Sequence, residues 1–165
     1  MANKTTKLKR IVDSEYEKYL SRLSFEIRKE ILNNFDQQKD INGKKFKRLA
    51  KSTRLDRVRN NFPAASPILR RTGKLRDSIK VEPDLSTKSL KIESSLEYAD
   101  DLSKGNHSGV WGRQSINVDM PERNFLGEPK SLRYGSKKRN DIFSKFNENV
   151  ISKLQSEIDD IIKKL

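Results

Sequence analysis

No cysteine occurs anywhere in the 165 residues. Disulfide staples, thiolate zinc sites and cysteine nucleophiles are therefore excluded. That absence suits a reducing cytoplasm, though exported chains without cysteine are common. Histidine is nearly as scarce. The single copy, His107, sits in "GNHSGVWG", which reads as an exposed loop. One imidazole cannot assemble a zinc constellation, so its expected role is structural or solvated. No Asp-rich calcium loop is present. Aromatic residues make up 7% of the chain, and Phe46, Phe62 and the lone Trp111 form no stacking platform for single-stranded nucleic acid. Long apolar runs are also missing: nothing approaches the ~20 residues of a membrane span. The basic stretch "MANKTTKLKR" is followed by no apolar core, so no secretory signal is expected.

What the chain has in abundance is positive charge. Lys and Arg number 36 against 23 Asp and Glu, a formal net charge of +13. The excess is concentrated in "KKFKRLAKSTRLDRVR", where Lys44, Lys45, Lys47, Arg48, Lys51, Arg54, Arg57 and Arg59 meet the single Asp56. Smaller clusters are Arg70-Arg71-Lys74-Arg76 and Lys137-Lys138-Arg139. Such a field attracts polyanions or an acidic protein and speeds encounter with either. Leu, Ile, Val and Phe supply about a quarter of the residues, above the ~20% below which disorder is expected. One small folded domain over 1–165 follows.

Apolar spacing predicts a long amphipathic helix over about 7–33. Leu8, Val12, Tyr16, Tyr19, Leu23, Ile27 and Ile31 recur at steps of three and four, with Thr5 or Thr6 able to cap the start. A partner helix suits this stripe better than a membrane surface, because glutamates and lysines mix on the opposite face. A second such helix is predicted over about 140–164, with Phe143, Phe146, Val150, Leu154, Ile158, Ile161 and Leu165 on its stripe and Asn140 or Asp141 as cap. The middle must supply the surface these helices cover. There Leu75, Ile79 and Val81 alternate with polar residues, as do Leu90 and Ile92, which reads as an antiparallel hairpin. A short helix from about Glu97 to Lys104 and a third strand from Gln114 to Val118 follow. Phe46, Leu49, Leu55 and Val58 predict a short basic helix within 44–59. The fold class is α+β: a small antiparallel sheet packed with two long terminal helices.

Chemical motifs fail one by one. "ILRRTGKLRDSI" places Lys74 after Gly73, but a phosphate loop needs G-x-x-x-x-G-K-[ST] and a following helix. Gly73 has no partner glycine, Leu75 follows the lysine, and the pattern beyond predicts a strand. A nuclease pair is absent as well: Asp84 with Lys91-Ile92-Glu93 puts the lysine before the carboxylate, and adjacent Asp100 and Asp101 diverge by about 100° on a helix. No enzyme, cofactor, metal or small-molecule substrate is indicated.

Four segments occur in a suggestive order: "NGKKFKRL" (42–49), "ILRRTGKLRDSI" (68–79), "LEYADDLSKG" (96–105) and "MPERNFLG" (120–127). Together they resemble the virion-morphogenesis family of tailed phages (Mu G-like), related to tail-completion and head–tail joining proteins. The resemblance spans roughly 35–130. Its motif positions fall on Phe46 and Leu49, on Thr72, Gly73, Leu75, Ser78 and Ile79, on Tyr98, Ala99 and Gly105, and on Pro121, Arg123, Phe125, Leu126 and Gly127. Phe46 stands where the family often has Trp, and Ser103-Lys104 replace a His or acidic residue with its neighbour.

The resemblance implies a structural virion protein, assembled in the bacterial host cytoplasm, that completes the tail or joins it to the head. It implies a homo-oligomeric ring with hexameric closure, touching neck or tail proteins such as the head connector, tail terminator or tube. Lys44, Lys45, Lys47, Arg48, Lys51, Arg54 and Arg57 would then face an acidic neighbour or DNA in the channel. Arg123, between Pro121 and the expected core anchors Phe125 and Leu126, is placed for a bidentate carboxylate contact, within the subunit or across to the next copy. The alternative is a basic protein that binds nucleic acid without sequence preference, with the same cluster as its whole site.

Overall fold

A computed structural model describes residues 2–65, 67–111, 114–119, 121–133 and 135–162. Its elements are α1 (Ala2–Asp36), α2 (Lys51–Arg59), α3 (Lys74–Asp77), β1 (Ile79–Asp84), β2 (Ser89–Ser94), α4 (Tyr98–Lys104), β3 (Asn106–Trp111), β4 (Gln114–Asp119) and α5 (Lys137–Ile162). A 3-10 turn, Lys130–Leu132, precedes α5. The class is α+β. The chain divides into two compact units, one of Met1–Glu26, Glu82–Lys91 and Leu132–Leu165, the other of Ile27–Val81 and Ile92–Ser131.

The first unit is an antiparallel pair of helices with a hairpin tip. Lys7 pairs with Glu157, Glu15 with Lys153 and Glu26 with Lys138, so residue numbers rise along α1 as they fall along α5. Between these ion pairs lies an aromatic cluster. Tyr19 and Phe146 have ring centroids 5.1 Å apart, and Tyr16 meets Phe146 edge-on at 5.8 Å. In this unit the two stripes therefore meet through their rings, while Val12, Phe143 and Ile158 of the same stripes stay exposed and the lower end of the first stripe, Ile27 and Ile31, is buried in the second unit. The caps also differ from expectation. Thr5 and Thr6 lie inside α1, and Ser136 caps α5, its Oγ accepting from the Arg139 N–H at 3.3 Å.

Glu15 is the charged residue that this helix pair buries, at 3% exposure. Lys153 and Lys18 both donate to its Oε1, the latter at 2.8 Å. The Lys153 bond first, then Lys18, holds the carboxyl below its ordinary value of 4.5, against the opposing pull of desolvation. A depressed folded-state value favours the ionised form in the fold. The resulting stabilisation is complete above the unfolded value and is lost as pH falls through the folded one. Glu15→Gln should thus cost about 1–3 kcal/mol at pH 7, and the difference from wild type should shrink in acid. Urea titrations of both proteins at pH 7 and pH 3 measure this; equal differences at the two pH values would refute it.

β1 and β2 form a two-stranded sheet, and their four-residue connection, 85–88, permits only antiparallel pairing. The turn is organised by Asp84, whose Oδ1 accepts from Ser86 Oγ (2.6 Å), Ser86 N (2.9 Å) and Thr87 N (3.2 Å). These bonds, led by the Ser86 hydroxyl, bring its carboxyl down to about 2.

The second unit is built on three rings. Phe35, near the end of α1, meets Phe46 at 6.4 Å and Phe125 at 5.2 Å, both edge-on. Ile27, Ile31, Ile41, Leu75, Ile79 and Ala99 are buried as well. Phe46 reaches this core from an extended segment. Residues 44–50 are held open by a bridge between Lys39 and Lys45 and by the Phe46 N–H, which donates to Gln38 O at 2.8 Å. The predicted basic helix therefore begins only at Lys51. Leu55 and Val58 are exposed on it, so its apolar spacing did not mark its buried side. The fourth motif segment is laced to Ile41, the residue just before the first: Ile41 N–H donates to Asn124 O at 2.9 Å, and beyond the segment Lys130 N–H donates to Ile41 O at 2.8 Å. At Gly127 (φ +115°) a Cβ would stand 3.3 Å from Ile41 Cδ1, so a side chain is opposed there by both backbone and space.

Two expectations about strands are corrected. Leu75 does not begin a strand. Gly73, at φ 87°, caps a single helical turn that carries Leu75 inward to 5% exposure, and β1 starts at Ile79. The left-handed conformation is open to glycine without steric cost and aims the next amides into a turn. Residues 106–111, read as a loop, form β3, which pairs antiparallel with β4 in the register His107↔Val118 and Gly109↔Ile116. Val110 and Trp111 favour a pleated strand once a partner lies alongside. The two hairpins form separate two-stranded sheets. The end of the second predicted stripe, Leu165, lies outside the described residues.

Candidate functional site

A cavity of about 610 Å³ opens in the second unit, and all four motif segments contribute to its wall. Leu49 comes from the first, Thr72, Gly73 and Leu75 from the second, Tyr98 and Leu102 from the third, and Pro121 and Arg123 from the fourth. Residues more than seventy positions apart in the chain thus share one space. α2 provides a further side, and Ile68 and Leu69 extend the apolar surface.

Four arginines face this space: Arg48, Arg57, Arg71 and Arg123. No aspartate or glutamate joins them among the lining residues. Arg57 is buried at 5% exposure, and its two terminal nitrogens donate to Pro67 O at 2.8 Å and Ile68 O at 2.6 Å. It is a clamp on the 67–68 loop, not a surface cation, which corrects its expected place beside Lys44 and Arg54. Burial, then the neighbouring charge of Arg71, pushes its pKa down. Arg71 lies over the Phe62 ring, 4.8 Å from its centroid, and bonds Asp56 at 3.2 Å.

Arg123 is the less satisfied of the two buried ones, Arg57 and Arg123. It is 6% exposed, its Nη1 reaches only Pro121 O at 3.4 Å, and its buried Nε has no hydrogen-bond partner. Desolvation, then the charge of Arg57, lowers its pKa as well. Of the two carboxylate contacts open to Arg123, the one within the subunit is not formed among the described residues. Phe125 is a core anchor at 1% exposure, whereas Leu126 is only half-buried.

The other predicted site residues separate into two groups. Phe46, Leu75 and Ala99 are core, and Gly105 ends α4. Lys44, Lys45, Lys47, Arg48, Lys51 and Arg54 are exposed. The first three of these line a smaller recess of about 320 Å³ that also contains Asp40 and Glu122, so part of that charge is locally matched. Sequence reading missed Arg71, Leu102 and the inward turn of Arg57. Arg71 had a signal, the Arg70-Arg71 pair. Its neighbours were distinguished only by the fold, since Arg70 and Arg76 both turn to Asp36, at 3.3 and 3.2 Å.

Among the described residues no group of three or more His, Asp or Glu could hold a metal ion, and no helix is long and apolar enough to cross a membrane. No protein-family model, curated protein or solved structure matches the chain.

Proposed function

We propose that this chain is a structural subunit of a tailed-phage virion, of the morphogenesis class that completes the tail or joins it to the head. One observation carries the reading: the four motif segments, scattered over 42–127, meet around a single cavity in one unit. Motif positions that cooperate in space are what a shared architecture requires, and chance matches have no reason to converge. Subunits of this class assemble as rings in which one surface meets a different surface of the next copy. The exposed Lys44, Lys45, Lys47, Arg48, Lys51 and Arg54 form the face presented to an acidic neck or tail protein, or to DNA in the channel.

The same exposed run favours a second reading, non-specific nucleic-acid binding. The double variant Lys47→Glu/Arg48→Glu separates them. As a virion subunit, the wild-type chain should form rings visible by electron microscopy and be recovered from purified particles, and the variant should leave heads and tails unjoined. A nucleic-acid binder would instead show log K falling with log [salt] by about 0.9 per phosphate contact, and the variant would abolish that binding. Absence from particles together with absence of rings would defeat the assembly reading.

A further inference from the structure

The cavity holds an unbalanced charge. Arg57 is held by two carbonyls, which orient a guanidinium without neutralising it. Arg71 shares a carboxylate with Asp56, where both side chains are substantially exposed and screened. Arg123 has only one long bond, to the Pro121 carbonyl at 3.4 Å: it is buried, beside Arg57, with its Nε unpartnered. A buried cation without a counter-charge is costly, and an anion seated against it removes the cost.

The remaining wall decides what kind of anion. Leu49, Ile68, Leu69, Leu75 and Leu102 make most of it apolar. A duplex is too wide to enter a space of about 610 Å³, and a bare phosphate would leave those side chains against water. An apolar body carrying one carboxylate satisfies both halves, and the volume lies in the range of organic ligand sites, about 300–1,000 Å³. We propose that this cavity is a binding site for an organic carboxylate, its anionic end on Arg123 and Arg57 and its apolar body against Leu49, Leu75 and Leu102. The site does not depend on the assembly reading. Its ligand has two possible sources, a free small carboxylate or an acidic side chain flanked by apolar residues in a peptide segment.

The test is thermal denaturation and calorimetry of the full chain at fixed ionic strength, so that the net charge of +13 contributes equally throughout. The probes are phenylacetate, its neutral counterpart phenylacetamide, the blocked peptide acetyl-Phe-Asp-Leu-amide and inorganic phosphate. Phenylacetate should bind saturably and raise Tm, as a ligand selective for the folded state does, and phenylacetamide should not. Arg123→Gln should weaken phenylacetate by about tenfold or more, the loss expected of a charge-assisted bond. Binding of the peptide as well assigns the site to a peptide-borne carboxylate; its exclusion assigns the site to a free one. Failure of both carboxylates to bind overturns the proposal, as does an equal response to phenylacetamide or a stronger one to phosphate. Should circular dichroism show that Arg123→Gln does not fold, Thr72→Trp decides, because it fills the cavity from an exposed wall position. Undiminished phenylacetate binding by that variant would place the ligand elsewhere and overturn the site.

Discussion

Phe125→Ala should lower the folding free energy by about 3–5 kcal/mol, the usual cost of removing a fully buried ring. The side chain is 1% exposed and packs edge-on against Phe35, with centroids 5.2 Å apart. Phe35 also contacts Phe46, so one deletion leaves a void at the joint of three segments. Collapse into that void is opposed by the backbone bonds on either side, Ile41 to Asn124 and Lys130 to Ile41. Domains of this size hold only about 5–15 kcal/mol in total, so the variant should unfold at far lower urea. Leu126→Ala is the control. That neighbour is half-buried, and its loss should be about 1 kcal/mol. Urea titration followed by circular dichroism compares the two, and equal losses would show that Phe125 does not anchor the fourth segment.

The second large effect is expected at Arg57. Arg57→Met keeps much of the side-chain volume but strands the carbonyls of Pro67 and Ile68, which now accept at 2.8 and 2.6 Å. Bonds to a charged donor contribute roughly 1.5–3 kcal/mol each, and buried acceptors left empty cost a similar amount. Part of this is offset, because removing the charge relieves repulsion with Arg71 and Arg123. A net loss of about 2–4 kcal/mol follows. Lysine should rescue only in part, since a single ammonium does not reproduce the planar fork. Arg54→Met, one turn earlier and exposed, should change stability by less than about 0.5 kcal/mol. Indistinguishable urea midpoints for Arg57→Met and Arg54→Met would remove Arg57 from the structural frame of the cavity.

These two positions show how unevenly the fold could be read in advance. Phe125 was legible as a core residue, because an aromatic beside Pro121 and Gly127 in a polar stretch has little else to do. Arg57 was not. In a run of eight cations nothing local separates the one that turns inward, and the decision rests with two carbonyls ten and eleven residues away. The long helices were legible because a period of three to four is repeated many times over, and error at the ends costs little. The short turn after Gly73 was not: Leu75, Ile79 and Val81 fit an alternating pattern, and the glycine's φ of 87° is what converts the first of them to helix. The pairing of β3 with β4 was missed for a related reason, since Gly and Ser in "GNHSGVWG" mimic a loop until a partner strand is alongside.

From the residues alone came the α+β class, the two amphipathic stripes, the surplus of positive charge and the lack of thiols. All of these are local or compositional properties, which survive in an unfolded chain. The tertiary structure alone decided that the terminal stripes meet through Tyr16, Tyr19 and Phe146, that one cation of the basic run is buried, and that Arg123 lines a cavity with no carboxylate among its described lining residues. Burial and charge balance are set by residues distant in sequence, so no window along the chain contains them.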